Sequence, residues 1–266
     1  MNNQPDLLLK AEDGLKKVYD QYEKIGLLAV YIWGSVLTED FNPEKSDVDS
    51  IGIVEKSFPI EKELEIATLL KKSSPEVKDL KMRLVYLDEL NGSKSRGYLA
   101  RHIAPTLLLQ DFEYWHHVAG KKYKRSDFKL KNISSKQAVG LKLKEIYDRH
   151  ILEIKKNDTY YVYFLKALAR LVSFSQQEKA GEIWRFSYAS LRAHASSEDK
   201  EIVENILKIR RNNWDKDEFQ KSLPIFLEFI DNQRTDVQKT IHDVKIGKNI
   251  VGPFYSVKEM DDYLDN

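Results

Sequence analysis

Two aspartates one residue apart, Asp47 and Asp49, follow a Gly-Ser pair, Gly34-Ser35, at an interval of about a dozen residues. They belong to Ser46-Asp47-Val48-Asp49-Ser50-Ile51-Gly52-Ile53-Val54, which reads as a strand that becomes apolar enough for a core. On a strand, residues i and i+2 project from one face, so both carboxylates point the same way. Carboxylates that close repel unless a cation sits between or beside them. Hard oxygen donors in pairs suit magnesium, above all when a substrate phosphate completes the shell. Gly34-Ser35 ends the run Tyr31-Ile32-Trp33 and is expected to open a helix through Val36 to Glu39. Its free N–H groups and the Ser35 hydroxyl could then hold phosphate oxygens.

The elements that must position these residues show in the periodicity. Residues 6–24 carry Leu8, Leu9, Leu15, Val18, Tyr19 and Tyr22 at helical spacing, with Gly26 where a helix would stop. Residues 27–33 are a short apolar run before a glycine, a buried strand. The spacing predicts a second strand over 47–54, a helix over 60–72 and a third strand over 80–87. A fourth strand is expected within 106–122, which is rich in aromatic and β-branched residues and turns at Gly120. From Ser134 the pattern is helical almost throughout, with helices expected around Val139 to Ile154 and Tyr161 to Leu171, then over 184–192, 200–210 and 224–244. The polar stretch 124–135 marks the boundary between a domain of residues 1–130 and one of 131–266. The tail from Lys248 is expected to pack back through Phe254 and Tyr255 or to fray.

A strand, Gly-Ser, a helix, a loop and then Asp-x-Asp on the next strand resembles the nucleotidyltransferase superfamily of DNA polymerase beta. The chain is most similar to the bacterial aminoglycoside-nucleotidyltransferase-like branch, with Gly34, Ser35, Asp47 and Asp49 matching the motif residue by residue. The resemblance implies an α/β (α+β) N-terminal domain with a mixed sheet and flanking helices, then an all-α helical bundle, with the active site between them. It also implies two-metal nucleotidyl transfer. Asp47 and Asp49 would hold magnesium against the phosphates of a nucleoside triphosphate, ATP in the first instance, while Gly34 and Ser35 steady the departing pyrophosphate.

The chain departs from the family at a third carboxylate, usually found on a neighbouring strand. Here that strand reads Asp79-Leu80-Lys81-Met82-Arg83-Leu84-Val85-Tyr86, with Lys81 in the expected position. Asp79, Asp88, Glu89 and, from the helical half, Glu145 remain open as replacements, as does the absence of any. The helical half adds Leu165-Lys166-Ala167-Leu168-Ala169-Arg170, followed by Phe186-Ser187-Tyr188-Ala189. This looks like the nucleotide-clamping helices of terminal nucleotidyltransferases. By that likeness Lys166 and Ser187 would meet phosphate, and Tyr188 would lie near the base.

Composition narrows the function further. The 266 residues include 43 Lys+Arg against 42 Asp+Glu, a formal charge of +1, which argues against a long nucleic-acid acceptor. With 42% hydrophobic and 32% charged residues the chain reads as a folded protein, and zero cysteines excludes disulfides, thiolate metal sites and thiol nucleophiles. The start lacks the basic and apolar stretches of a signal peptide, and no apolar run could span a membrane, so a cytoplasmic location is expected. His116-His117 cannot chelate one ion, because adjacent strand residues face opposite ways. The basic run Lys121, Lys122, Lys124, Arg125, Lys129 and Lys131 reads as a solvated linker, with the lining of a cleft between domains as the alternative. The leading function is transfer of a nucleoside monophosphate to an acceptor hydroxyl with release of pyrophosphate. The acceptor classes are a small molecule, an RNA 3′ end or a protein side chain. The rival is a non-catalytic nucleotide-binding regulator or a toxin–antitoxin component acting through a partner.

Overall fold

Seven residues of unbroken apolar character, Leu27–Trp33, build strand β1, which is buried along most of its length. Such a run needs cover on both faces and neighbours on both edges, and the four-stranded sheet provides them in the order β3-β2-β1-β4. Strand β2 (Val48–Val54) pairs antiparallel with β1, and β4 (His116–Gly120) does so on the other edge. Strand β3 (Leu80–Tyr86) runs parallel to β2. A parallel neighbour requires a crossover, supplied by helix α2 (Lys62–Ser73).

Helix α1 (Gln4–Tyr22) buries Leu7, Ala11, Leu15, Val18 and Tyr22 in one core with Ile66 and Leu70 of α2. Leu27, Val30, Ile32, Val48, Met82, Leu84 and Tyr86 complete that core from the sheet. The two helices approach closely at Gly14, where an added Cβ would lie 2.1 Å from the Ser74 hydroxyl oxygen. That hydroxyl donates to the Lys10 carbonyl at 2.9 Å, so glycine is what leaves room for the bond.

The computed structural model describes residues 4–42, 46–91, 98, 109, 111–129, 134–154, 157 and 159–243. Those up to residue 129 form one compact unit and those from Ser134 a second. The second unit is helical: α3 (Ser135–Glu145), α4 (Tyr161–Ala180), α5 (Tyr188–Ala193), α6 (Lys200–Arg211) and α7 (Lys216–Asp243). After α3 the chain widens into a π turn, Ile146–His150, and a last helical turn, Ile151–Ile154. Helix α4 is the most buried of these helices, with Phe164, Leu165, Leu168, Leu171 and Val172 inaccessible. Phe219 of α7 meets Phe164 edge to face at 5.9 Å, and Phe226 lies 6.2 Å from Phe219. The Gln176 amide, buried, donates to the Leu191 carbonyl and to Asp199, tying α4 to the chain around α5 and α6. A mixed sheet with flanking helices followed by a helical region is therefore the fold class.

Several expected elements differ. The helix expected over 36–39 is a single 3₁₀ turn, Ser35–Leu37. The Gln4 side-chain amide donates to the carbonyls of Val36 and Thr38, at 2.7 and 3.1 Å, taking acceptors a growing helix would use. The fourth strand lies within 106–122 as expected, at His116–Gly120, with Phe112–Tyr114 before it another 3₁₀ turn; residues 106–108 and 110 lie outside the described residues. The helix expected from Trp184 starts only at Tyr188, because Ser187 caps it and Gln177 holds the Trp184 carbonyl at 2.9 Å. The helix expected from Pro224 starts eight residues earlier and runs through the proline. An internal proline costs about 3 kcal/mol, and burial of Phe219, Phe226 and Ile230 along α7 offsets it. The expectation for the tail around Phe254 and Tyr255 lies outside the described residues. Among the described residues no helix is long and apolar enough to cross a membrane.

Candidate functional site

One edge of the sheet gathers the end of β1 and the starts of β2 and β3. There Trp33 pairs with Asp49, and Asp49 with Lys81, so the three side chains share a face. Asp47 stands just before β2, two residues from Asp49 and on the same side by strand alternation. Gly34 follows Trp33 with φ 84° and ψ −156°, a conformation open essentially to glycine alone. A Cβ there would sit 3.6 Å from the Asp49 carboxylate, so the backbone passes directly beside that side chain. Ser35 begins the 3₁₀ turn, and its carbonyl accepts from both the Thr38 amide and the Thr38 hydroxyl, each at 2.9 Å. With the Gln4 bonds, this turn is anchored on both sides.

Lys81 is the group sequence reasoning placed but did not connect. Its Nζ donates to Asp47 Oδ2 at 3.1 Å, with the two side chains 41% and 43% exposed. Partial burial alone would lower the lysine's pKa, but the hydrogen bond to Asp47 and the charges of Asp47, Asp79 and Asp49 outweigh it and hold it raised. Beneath it, the fully buried Ser50 hydroxyl donates to the Lys81 carbonyl at 2.9 Å and fixes the strand. Asp79 enters β3 with φ 50°, the left-handed region that aspartate tolerates better than most residues.

The other candidates for a third carboxylate lie elsewhere. Asp88 and Glu89 follow the far end of β3, a strand length of roughly 20 Å away. Glu89 is fully buried and accepts the Tyr86 amide at 3.0 Å, while Asp88 lines a separate open groove with Glu55, Lys56, Ser57 and Asn91. Glu145, in the helical unit, is held by Lys142 and by His150 Nε2, the latter at 3.5 Å. Burial pushes its carboxyl up, but the Lys142 charge and the hydrogen bonds from His150 and Lys142 reverse this and hold it well below the usual carboxylate range. Among the described residues no group of three or more His, Asp or Glu side chains is placed to hold a metal ion. His116 and His117 go separate ways, to Glu12 at 3.0 Å and to the Gly120 carbonyl at 3.1 Å.

Within the helical unit, Lys166 is exposed on α4, with its Nζ 6.0 Å from the ring centres of both Tyr163 and Trp214. One turn on, the Arg170 guanidinium lies 4.2 Å above Phe186, and Arg210 of α6 lies 4.3 Å above Tyr188. Phe186 and Tyr188 meet edge to face at 5.5 Å. Ser187 is buried and caps α5, accepting the Ser190 amide at 2.9 Å. Lys166 and Arg170 stand at i, i+4 spacing on α4.

No family model matches the chain, and no curated protein matches it. Among solved structures it is similar to spectinomycin adenyltransferase AAD(9) from Enterococcus faecialis, determined with ATP and spectinomycin, at a TM-score of 0.49 and 13% identity, covering 97% of this chain and 97% of that one.

Proposed function

We propose that this protein transfers a nucleoside monophosphate from a nucleoside triphosphate to the hydroxyl of a small-molecule acceptor. The observation that carries the reading is the joint placement of Gly34 against Asp49, with Asp47 two residues away, where three strands meet. Gly34 and Ser35 let phosphate oxygens approach the backbone, and Asp49 of β2 and Asp47 just before it face them. Magnesium borne by the triphosphate would be held by Asp47 and Asp49 and would supply charge neutralisation at the phosphates. The acceptor oxygen forms the new bond to the α-phosphorus as the bond to the bridging oxygen breaks, and pyrophosphate leaves with that electron pair. With both Asp47 and Lys81 about two-fifths exposed, the hydroxyl proton passes to solvent. The chain's own contribution is position and electrostatics.

In the helical unit the reading assigns phosphate contact to Lys166 and places Tyr188 beside the nucleobase. Ser187 enters through its cap, which fixes the backbone on which Tyr188 stands. The near-neutral total charge favours a small acceptor over RNA.

Lys81 favours a second reading, in which the triphosphate is bound but not cleaved, because the strand position next to Asp49 carries an ammonium instead of a carboxylate. One experiment separates the two. The protein is incubated with each α-labelled triphosphate, magnesium and a panel of hydroxyl acceptors. Label on an acceptor with released pyrophosphate supports transfer; saturable binding with no release supports the second reading. Absence of both overturns the two together.

A further inference from the structure

The dicarboxylate edge already contains a cation. Lys81 is brought there by the parallel register of β2 and β3, is held to Asp47 at 3.1 Å and has its backbone locked by Ser50. A carboxylate at position 81 would make the local charge two units more negative than the lysine does. Two divalent ions brought to the same edge would therefore meet a repelling ammonium and would have to displace it from Asp47. An exposed ion pair is itself worth little, so the lysine's effect lies in the field it adds and the oxygen it occupies. An ammonium also carries three donors, of which the bond to Asp47 uses one, leaving donors for phosphate oxygens. Resting on the nucleotide reading above, we propose that Lys81 is the resident cation of this site, standing in for a second divalent ion. A triphosphate then brings one ion and meets the lysine as the other positive charge.

The test uses the full chain and two neutral replacements, Lys81→Met and Lys81→Gln, with Lys81→Arg as the conservative control. Manganese alone is titrated into each protein and followed by electron paramagnetic resonance. The wild type and Lys81→Arg should bind it weakly, and both neutral variants should bind it roughly tenfold or more tightly, the scale of one pKa-sized electrostatic change. ATP is then titrated calorimetrically at fixed MgATP across rising free magnesium. Wild-type affinity should be flat, whereas the neutral variants should need free magnesium in excess to recover it. Thermal melts confirm that each variant is folded. Equal manganese affinity in all four folded proteins, or tight manganese binding by the wild type, overturns the proposal. If no protein binds ATP at any magnesium concentration, the nucleotide reading fails by itself, and the manganese series still decides whether the lysine excludes a metal.

Discussion

Two of the clusters that pair a lysine with a carboxylate differ in what surrounds them. Lys81 and Asp47 stand two-fifths exposed at the edge of the sheet. Lys142, Glu145 and His150 sit inside the helical unit, with 12%, 22% and 7% of their side chains exposed. The inner cluster is spent on structure. Its carboxylate is locked between two partners, Lys142 and His150. The outer cluster is open to solvent, and the glycine-only backbone at Gly34 passes beside its neighbour Asp49. Screening makes such a pair weak, and weakness lets an incoming anion rearrange it. Exposure, more than proximity of opposite charges, separates the pair that can act from the pair that holds.

The sharpest break of this comparison is at the aspartates. Asp47→Asn and Asp49→Asn should each lower transfer by at least about a hundredfold, the scale for removing one electrostatic group from a reacting site, while thermal melts stay unchanged. Activity within a few-fold of wild type in either variant would remove that residue from the mechanism.

Glu145→Gln should do the reverse, leaving nucleotide binding intact and costing roughly 3 kcal/mol of stability, because it leaves Lys142 without its charge partner in a largely buried place. The pH dependence follows from the depressed carboxyl. A carboxylate whose folded pKa lies below its unfolded value contributes fully above the unfolded value of about 4.3, and that contribution drains away as pH falls below it. Denaturant melts from pH 6 down should therefore show a shallower acid decline in the variant than in the wild type. Parallel declines would show that Glu145 is not a stabilising ion.

Lys166→Ala should weaken triphosphate binding by about 1.5–3 kcal/mol, the range for a hydrogen bond to a charged group, and weaken monophosphate binding much less. Calorimetry with both ligands checks this, and equal losses would reduce the lysine to a surface charge. Gly34→Ala should cost about 1–3 kcal/mol in denaturant melts, since alanine is strained in that backbone region. The smallest effect is expected from Arg210→Ala, roughly 0.5–1 kcal/mol of stability for the lost contact with Tyr188. A larger loss of triphosphate affinity than of stability in that variant would move Arg210 from packing to binding.

Much of this was legible beforehand, for physical reasons. Residues 27–33 announce a strand because an apolar run of that length before Gly34 has few other uses, and the structure gives Leu27–Trp33. Asp47 and Asp49 could be put on one side from strand alternation alone. The ion pair to Lys81 could not be seen, since it depends on a register between strands 34 residues apart in the chain, and local periodicity carries no register. The missing helix after Gly34 has the same origin, in a contact from Gln4 far upstream. Pro224 misled because proline is at home in a first turn, whereas here tertiary burial carries the helix across it. Ser187 was read as a ligand group, while its nearest use is as the cap of α5.

The sheet's strand order bears on how the protein is made. Strand β1 pairs with β2 across a short connection, but its other edge waits for β4, with Ala29 opposite Gly120. A ribosome releases β1, β2, α2 and β3, and with them every residue of the Gly34, Asp47, Asp49 and Lys81 edge, before β4 emerges. Closing the longer separation to β4 costs more chain entropy than closing the shorter one to β2. Until then β1 offers an unpaired apolar edge, the kind of surface to which nascent chains stick or chaperones bind. Synthesis rate through residues 87–120 therefore governs how long a nearly finished site remains joined to an unprotected strand.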